Sequence, residues 1–412
     1  MALESLGNLE DSVKCYHKAL NINPLDAHIH FNMAIALSKL KDTNEAIKCY
    51  QKALSLKPDM AEAHNNIGNI FNQQGKLEQA IKCYRNAINV MPDYAEAHHH
   101  LGITLGETGN LELSLKSYEQ AIKLKPSLNF ILGESINIKM RMCIWDEASQ
   151  NINPIIAAIN NDENVVSPFV LLSILDNPEI QRKAAELYIK SKFPNNLNFP
   201  NIERYPVSAV IRIGYFSADF RDHAVSHLSA GLYKLHNRDK FEVHAFSLGP
   251  ETNDKFYLKV KSGVDKFHEV RDLSNKQIVN LSRSSQIDIA INLGGYTNGS
   301  LTEIFAMRAA PIQINFLGYP GTMGAKFMDY IIADEVVIPN QIKHQYAENI
   351  IYLPSTYMVT DNELKSSNVQ FTRADAGLPD TGFIFCCFNN HYKISPLVFS
   401  SWINILKRVN ES

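Results

Sequence analysis

The loop Ser217-Ala218-Asp219-Phe220-Arg221-Asp222-His223-Ala224-Val225-Ser226-His227 gathers two carboxylates and two imidazoles within eleven residues. Such a set can move a proton, one group abstracting it while another orients or neutralises. Two further loops suit close backbone approach. They are Gly294-Gly295-Tyr296-Thr297-Asn298-Gly299 and Leu317-Gly318-Tyr319-Pro320-Gly321-Thr322-Met323-Gly324. Bare glycine backbone lets N–H groups reach a sugar or phosphate oxygen. A glycine-rich loop alone is more often an ordinary turn. Their setting gives them weight.

That setting is a series of apolar runs. Ile211–Phe216, Phe241–Leu248 and Ile287–Leu293 each read as a strand buried on both faces of a parallel sheet. Helical stretches lie between them, the pattern of a Rossmann-like α/β domain. In such a domain ligands collect beyond the carboxyl ends of the strands. The loops at 217–227 and 294–299 begin where two of those strands end. Pro200 and Pro206 mark the boundary on the upstream side.

Upstream, Pro24, Pro58, Pro92 and Pro126 stand 34 residues apart, in phase with Tyr16, Tyr50, Tyr84 and Tyr118 and with Ala19, Ala53, Ala87 and Ala121. A 34-residue period of paired helices is the tetratricopeptide repeat, whose stacks present a concave surface to polypeptide. In one unit Ala61, Ala63, Ile67, Gly68 and Phe71 form a stripe at helical spacing, and Gly75 ends that helix. Leu77, Ala80, Ile81, Tyr84, Ala87 and Ile88 line the next. Ala34, Gly68 and Gly102 share a slot where a small side chain admits a close helix neighbour. Asn32, Asn66 and His100 share another, which reads either as an amide ladder clamping a peptide backbone or as capping and solvated side chains. His98, His99 and His100 cannot converge on one metal ion from consecutive helix positions, and read as a solvated helix face. After Pro126 the phase is lost. Ile144, Trp145, Ala148 and the stretch Gln181–Lys192 still read as helical.

The net charge of -3 and a pI near 6.5 give no electrostatic case for nucleic acid. No apolar run reaches the ~18 residues of a spanning helix, so no membrane partner is expected. The N-terminus lacks the basic-then-apolar pattern of a secretory signal. Of the six cysteines, Cys15, Cys49 and Cys83 repeat one helix position, and Cys386 and Cys387 are adjacent in an expected strand. This usage suits a reducing compartment, the cytoplasm, with the nucleus also open in a eukaryote. No zinc-ligand spacing and no Asp-x-Asp pair is present.

Taken together, Asp219–His227, Phe305–Gln313 (FAMRAAPIQ), Leu317–Gly324 (LGYPGTMG) with Asp329-Tyr330, and Phe388–Lys393 (FNNHYK) resemble the O-linked N-acetylglucosamine transferase family, SPINDLY-like relatives included. The resemblance implies a GT-B fold of two Rossmann-like lobes. It implies metal-independent, inverting transfer of a sugar from a nucleotide diphosphate, UDP-GlcNAc foremost, to Ser or Thr. No cofactor is implied beyond that co-substrate. His223 and Asp219 match the family's catalytic segment; either, or a donor phosphate oxygen, takes the acceptor proton. Leu317, Gly318 and Tyr319 are expected to line the sugar pocket, Asn390 to lie near the nucleotide, and Lys393 to meet the departing diphosphate. Asp222, Asn32 and Asn66 are the acceptor-side candidates. Departures from the pattern are Ala224 and Ala309 in place of proline and Leu301 in place of arginine.

The expected organisation is tetratricopeptide repeats over 1–126, the first partial; a helical linker over 127–206; a first catalytic lobe over 207–381; and the start of a second over 382–412. That second lobe opens with a strand at Phe383–Phe388 and stops far short of a domain's size. The chain reads as a fragment that starts inside a longer repeat array and is inactive alone. Two alternatives stay open: a SPINDLY-type O-fucosyltransferase using GDP-fucose, and a non-catalytic repeat adaptor.

Overall fold

The computed structural model describes residues 8–145, 152–193, 202, 205–206, 208–297, 299–364 and 368–409. Gly7, Ala148, Pro200 and Asn298 lie outside them. The chain divides into two compact units: residues 1–155 with 389–399, and residues 156–388 with 400–412.

The first unit is a run of antiparallel helix pairs set by the 34-residue period: Leu9–Ile22, Ala27–Lys39, Thr43–Leu56, Ala61–Gln73, Leu77–Val90, Ala95–Glu107, Leu111–Leu124 and Ile131–Arg141. Asp26 and Asp42 cap two of them by accepting backbone N–H bonds. Gly75 turns the chain at φ +72°, as its position demands. Gly68 leaves room for Tyr84: a Cβ there would sit 2.6 Å from the ring. Three tyrosines of the period also reach sixteen residues on, into the next repeat. Tyr50 lies beside Asn66, the Tyr84 ring lies 5.6 Å from that of His100, and the Tyr118 hydroxyl donates to Glu134 Oε2 at 3.1 Å. Glu134 thus extends the 32–66–100 slot past Pro126.

The three consecutive histidines are not a solvated face. His98 Nε2 donates to the Pro92 carbonyl (2.9 Å), while His99 and His100 are largely buried against Tyr118 and Tyr84. His100 Nδ1 is bonded to Asn65 Oδ1 at 2.9 Å. Burial, and then the neighbouring His100, hold the His99 imidazole down to about 4. Helical packing turned two of three polar residues inward, where ring stacking and an amide bond hold them.

The second unit carries seven parallel strands: β1 Ile211–Ser217, β2 Phe241–Ser247, β3 Lys266–Glu269, β4 Ile289–Asn292, β5 Ile312–Asn315, β6 Tyr330–Ala333 and β7 Asn349–Tyr352. Their order is β3-β2-β1-β4-β5-β6-β7. Chain direction along the sheet reverses between β1 and β4, the switch point at which such sheets open a crevice. Alternate residues feed two cores, as the apolar runs imply. Ile213 and Tyr215 join Val243 and Ile291 on one face, and Phe216 stacks on its register partner Phe246 at 4.3 Å on the other.

Helices Pro168–Ile174 and Pro178–Lys192 belong to this unit. Tyr188 lies edge-on to Tyr296 (4.9 Å), and Phe193 meets Phe327. The 127–206 stretch, expected as one linker, is therefore shared: Ile131–Arg141 continues the repeats, and Pro168–Lys192 packs on the sheet domain. Phe383–Phe388 is not a strand. Among the described residues no strand pairs with it, and Phe383, Phe385 and Phe388 are 59%, 46% and 96% exposed. An apolar run becomes a strand only where a neighbour takes its backbone bonds. Cys386 and Cys387 are exposed free thiols. Helix Pro396–Arg408 follows as its apolar spacing predicts. Among the described residues no helix is long and apolar enough to cross a membrane.

Candidate functional site

The end of β1 builds the first wall of the crevice. Ser217 Oγ accepts from the Asp219 amide at 3.0 Å, and Ser226 Oγ donates to the Asp219 carbonyl at 2.6 Å. Asp219 is 5% exposed. Its carboxylate faces Arg221 Nη2 at 3.5 Å and His223 Nδ1 at 3.7 Å. His223 caps helix Ala224–Ser229, its Nδ1 accepting the Val225 N–H at 3.3 Å. In the neutral ring that bond puts the proton on Nε2. Asp222 is on the outer side: its carboxylate holds His227 Nε2 at 2.6 Å, and its amide donates to Asp254 Oδ2. Burial pushes the Asp254 carboxyl up, but bonds from Thr252 and the backbone at 222 and 256 hold it below its usual range.

β4 and β5 supply the opposite wall. Gly318 approaches the Leu293 carbonyl so closely that a Cβ would lie 2.3 Å from its oxygen, and 3.5 Å from Val225 Cγ2. The Leu317–Gly318 corner therefore stands beside the turn that carries His223. Leu317 holds this corner at φ +74°, a left-handed backbone that bulky side chains seldom adopt. Gly295 sits at φ +56°, and a Cβ there would lie 2.3 Å from Tyr319 Cβ, so both backbone and space call for glycine.

Tyr319 departs from its expected place. Its ring is 3% exposed, packed on Tyr296 at 5.2 Å, inside the core. Only backbone of that residue is left to meet a ligand. Leu317 is 6% exposed, its side chain likewise in the core. The motifs FAMRAAPIQ and Asp329-Tyr330 serve as framework. Arg308 donates to the carbonyls of Phe327 and Pro311 and to Asp329 Oδ1 (2.9 Å each). Ala309 replaces a family proline and puts its N–H to use, donating to Gln313 Oε1 at 2.8 Å.

Two residues escaped the sequence reading. Asn292 and Asn315 end β4 and β5 as register partners, 2% and 0% exposed. Asn292 Oδ1 accepts from the amides of Gly294 and Gly295, and Asn315 Nδ2 donates to the Tyr319 carbonyl. Asn292 Nδ2 and Asn315 Oδ1 are buried without a partner. Unsatisfied polar atoms cost ~1–3 kcal/mol each when buried and concentrate at working sites. The signal was present in the repeated endings Ile-Ala-Ile-Asn and Ile-Gln-Ile-Asn.

Asn390 and Lys393 fall in the first unit, both exposed, with the turn His391–Lys393 packed on helix Ile131–Arg141. Asn66 is half-buried beside Tyr50, and Asn32 is half-buried in the equivalent slot. Among the described residues no group of three His, Cys, Asp or Glu side chains is placed to hold a metal ion.

A repeat solenoid followed by a parallel sheet whose switch-point loops carry His223 and Asp219 is the architecture of a GT-B glycosyltransferase with a tetratricopeptide array. The profile of glycosyl transferase family 41 matches residues 189–370 and 359–412, and tetratricopeptide-repeat profiles match segments from 2 to 128. The chain belongs to glycosyl transferase family 41. It is 36% identical over 292 residues to the probable UDP-N-acetylglucosamine–peptide N-acetylglucosaminyltransferase SEC of Arabidopsis thaliana, covering 66% of this chain and 30% of that protein. It is 32% identical over 208 residues to the probable UDP-N-acetylglucosamine–peptide N-acetylglucosaminyltransferase SPINDLY of the same plant, covering 49% and 22%. A mutant of the Thermobaculum terrenum O-GlcNAc transferase matches in fold with a TM-score of 0.57 at 22% identity, over 93% of this chain and 66% of that one. The chain thus spans less than a third of the length of these two curated relatives.

Proposed function

We propose that this chain carries the repeat groove and the first catalytic lobe of a protein O-glycosyltransferase. The reaction is transfer of N-acetylglucosamine from UDP-GlcNAc to a Ser or Thr hydroxyl. The acceptor oxygen forms a bond to the anomeric carbon as the bond to the diphosphate breaks, inverting that carbon. The proton leaves the hydroxyl for a base, and UDP departs with the bonding pair. No metal takes part. The observation that carries this reading is the His223–Asp219 pair at the end of β1, beside the Leu317–Gly318 corner, in a family 41 chain.

The local bonds favour one role for His223. With Nδ1 occupied by the Val225 N–H, Nε2 carries the proton and donates to an oxygen of sugar, acceptor or phosphate. For Nε2 to act as base, Asp219 must close its 3.7 Å gap and claim Nδ1–H. The repeat groove takes the acceptor polypeptide.

The test is transfer of radiolabelled sugar to a Ser/Thr peptide by the natural protein, with UDP-GlcNAc and GDP-fucose compared and chelator added. Transfer from UDP-GlcNAc that survives chelation supports the proposal. Transfer from GDP-fucose alone selects the SPINDLY-type reading, which the match to SPINDLY leaves open. No transfer from either leaves a repeat adaptor.

A further inference from the structure

The loop Leu317–Gly324 contains three glycines and a left-handed leucine, a composition that does not fix its own shape. Something else must. Backbone groups along it are gripped by side chains from outside: Asn315 holds the Tyr319 carbonyl, Tyr346 Oη donates to that of Pro320 at 3.1 Å, and Tyr296 Oη donates to that of Met323. The remaining grip is a buried carboxylate. Glu348, immediately before β7 and 5% exposed, accepts from Thr322 Oγ at 2.7 Å and from the Met323 N–H at 2.6 Å. Thr322 Oγ in turn accepts from the amides of Gly324 and Ala347.

Burying a carboxylate without a cation is costly. Burial holds the Glu348 carboxyl above its ordinary range, with the bonds from Thr322 and Met323 opposing it. A residue kept at such a cost acts through what it holds. Its two oxygens fix successive residues of a loop whose far end, at Gly318, stands beside the His223 turn.

We propose that Glu348 is a positioning residue: it holds Thr322 and Met323 so that the 317–324 backbone is preset to receive the donor sugar. This rests on the transferase reading above. It assigns Glu348 no contact with substrate.

The experiment compares Glu348→Ala, Glu348→Gln and Thr322→Val in the natural protein. The readouts are amide exchange across residues 317–324, KM and kcat for UDP-GlcNAc, and thermal unfolding. Glu348→Ala is expected to speed exchange of the Met323 amide and raise KM, each by about tenfold, with kcat within about threefold, the scale of one lost charge-assisted bond. Glu348→Gln is expected to recover the Met323 amide and only part of the KM change: its carbonyl still accepts from Met323, but the Thr322 hydroxyl, already accepting from Gly324 and Ala347, loses its acceptor. Should Glu348→Ala not fold, Thr322→Val carries the test, with a smaller change in the same direction. Unchanged exchange in Glu348→Ala (or in Thr322→Val as its substitute) overturns the proposal. So does faster exchange with unchanged KM. If the unaltered protein transfers no sugar, the transferase reading falls, and loop exchange alone decides whether Glu348 holds the loop.

Discussion

His223 is held by bonds on one edge of its ring and bare on the other. Nδ1 is engaged by Val225 and faces Asp219, and the side chain keeps 41% of its surface open. Replacing it with alanine removes little packing and one cap bond, so thermal unfolding should fall by only a few degrees. Sugar transfer should fall by at least about a hundredfold, the scale of a lost acid–base or oxyanion-type group. Full activity in His223→Ala would remove it from the chemistry. The residue itself was legible, since two carboxylates and two imidazoles crowd one strand-end loop. Its partners were less so. Nothing in LGYPGTMG says which side of the loop faces inward, so Tyr319 read as pocket lining when its ring fills the core. Asn292 and Asn315 were hidden for a related reason: an amide at the end of an apolar run looks like the start of a turn.

At the scale of elements, the repeat helices follow directly from the period, because every slot recurs in the same surroundings. Gly68 illustrates how tightly. A methyl group at this position would meet the Tyr84 ring, itself 2% exposed and fixed by a 2.8 Å bond to Asn69. Gly68→Ala should therefore destabilise the solenoid by about 1–3 kcal/mol despite alanine's better helix propensity. Denaturant unfolding measures this; a neutral or stabilising result would mean the helices separate freely. Gly102→Ala, with its nearest ring atoms at 3.0 Å rather than 2.6 Å, should cost less. The peptide-clamp reading of Asn32 and Asn66 makes its own demand. Changing both to alanine should weaken transfer to long protein acceptors more than to short peptides, and equal effects would leave both residues as packing beside the inter-repeat tyrosines. The strand expected at Phe383–Phe388 failed because pairing belongs to the neighbour as much as to the segment.

Acid sensitivity is a property of the whole molecule. Burial, followed by a neighbouring histidine, holds both His99 and His268 down to about 4. His268 Nε2 shares a 3.1 Å bond with His244, which is fully enclosed. The unfolded chain takes up these protons near 6.5 and the folded one near 4. Below 6.5 the unfolded state thus binds more protons, so this stability is complete above that pH and is lost as pH falls towards 4. Glu242 beside them is held down to about 2, by Lys266 first, so its own contribution fades only below its ordinary 4.5. The melting temperature should be flat from pH 8 to 7 and fall between 6.5 and 4.5, and His268→Gln should shallow that fall. A level profile would contradict the buried-neutral assignment.

The tyrosine contacts of the solenoid give it something like a reading frame. Tyr50 to Asn66, Tyr84 to His100 and Tyr118 to Glu134 each span sixteen residues, from one repeat into the next. Excising residues 57–90, one whole period, would bring Tyr50 to the place of Tyr84 opposite His100, and every later contact would re-form unchanged. Excising one residue fewer would rotate all that follows by about 100°, the turn per helical residue, and present the wrong face at the next junction. Chain length in this half of the molecule is therefore free to vary only in whole words of thirty-four letters. A shortened chain that melts cooperatively after the in-frame deletion, beside one that does not after the frameshifted deletion, is the signature of that grammar.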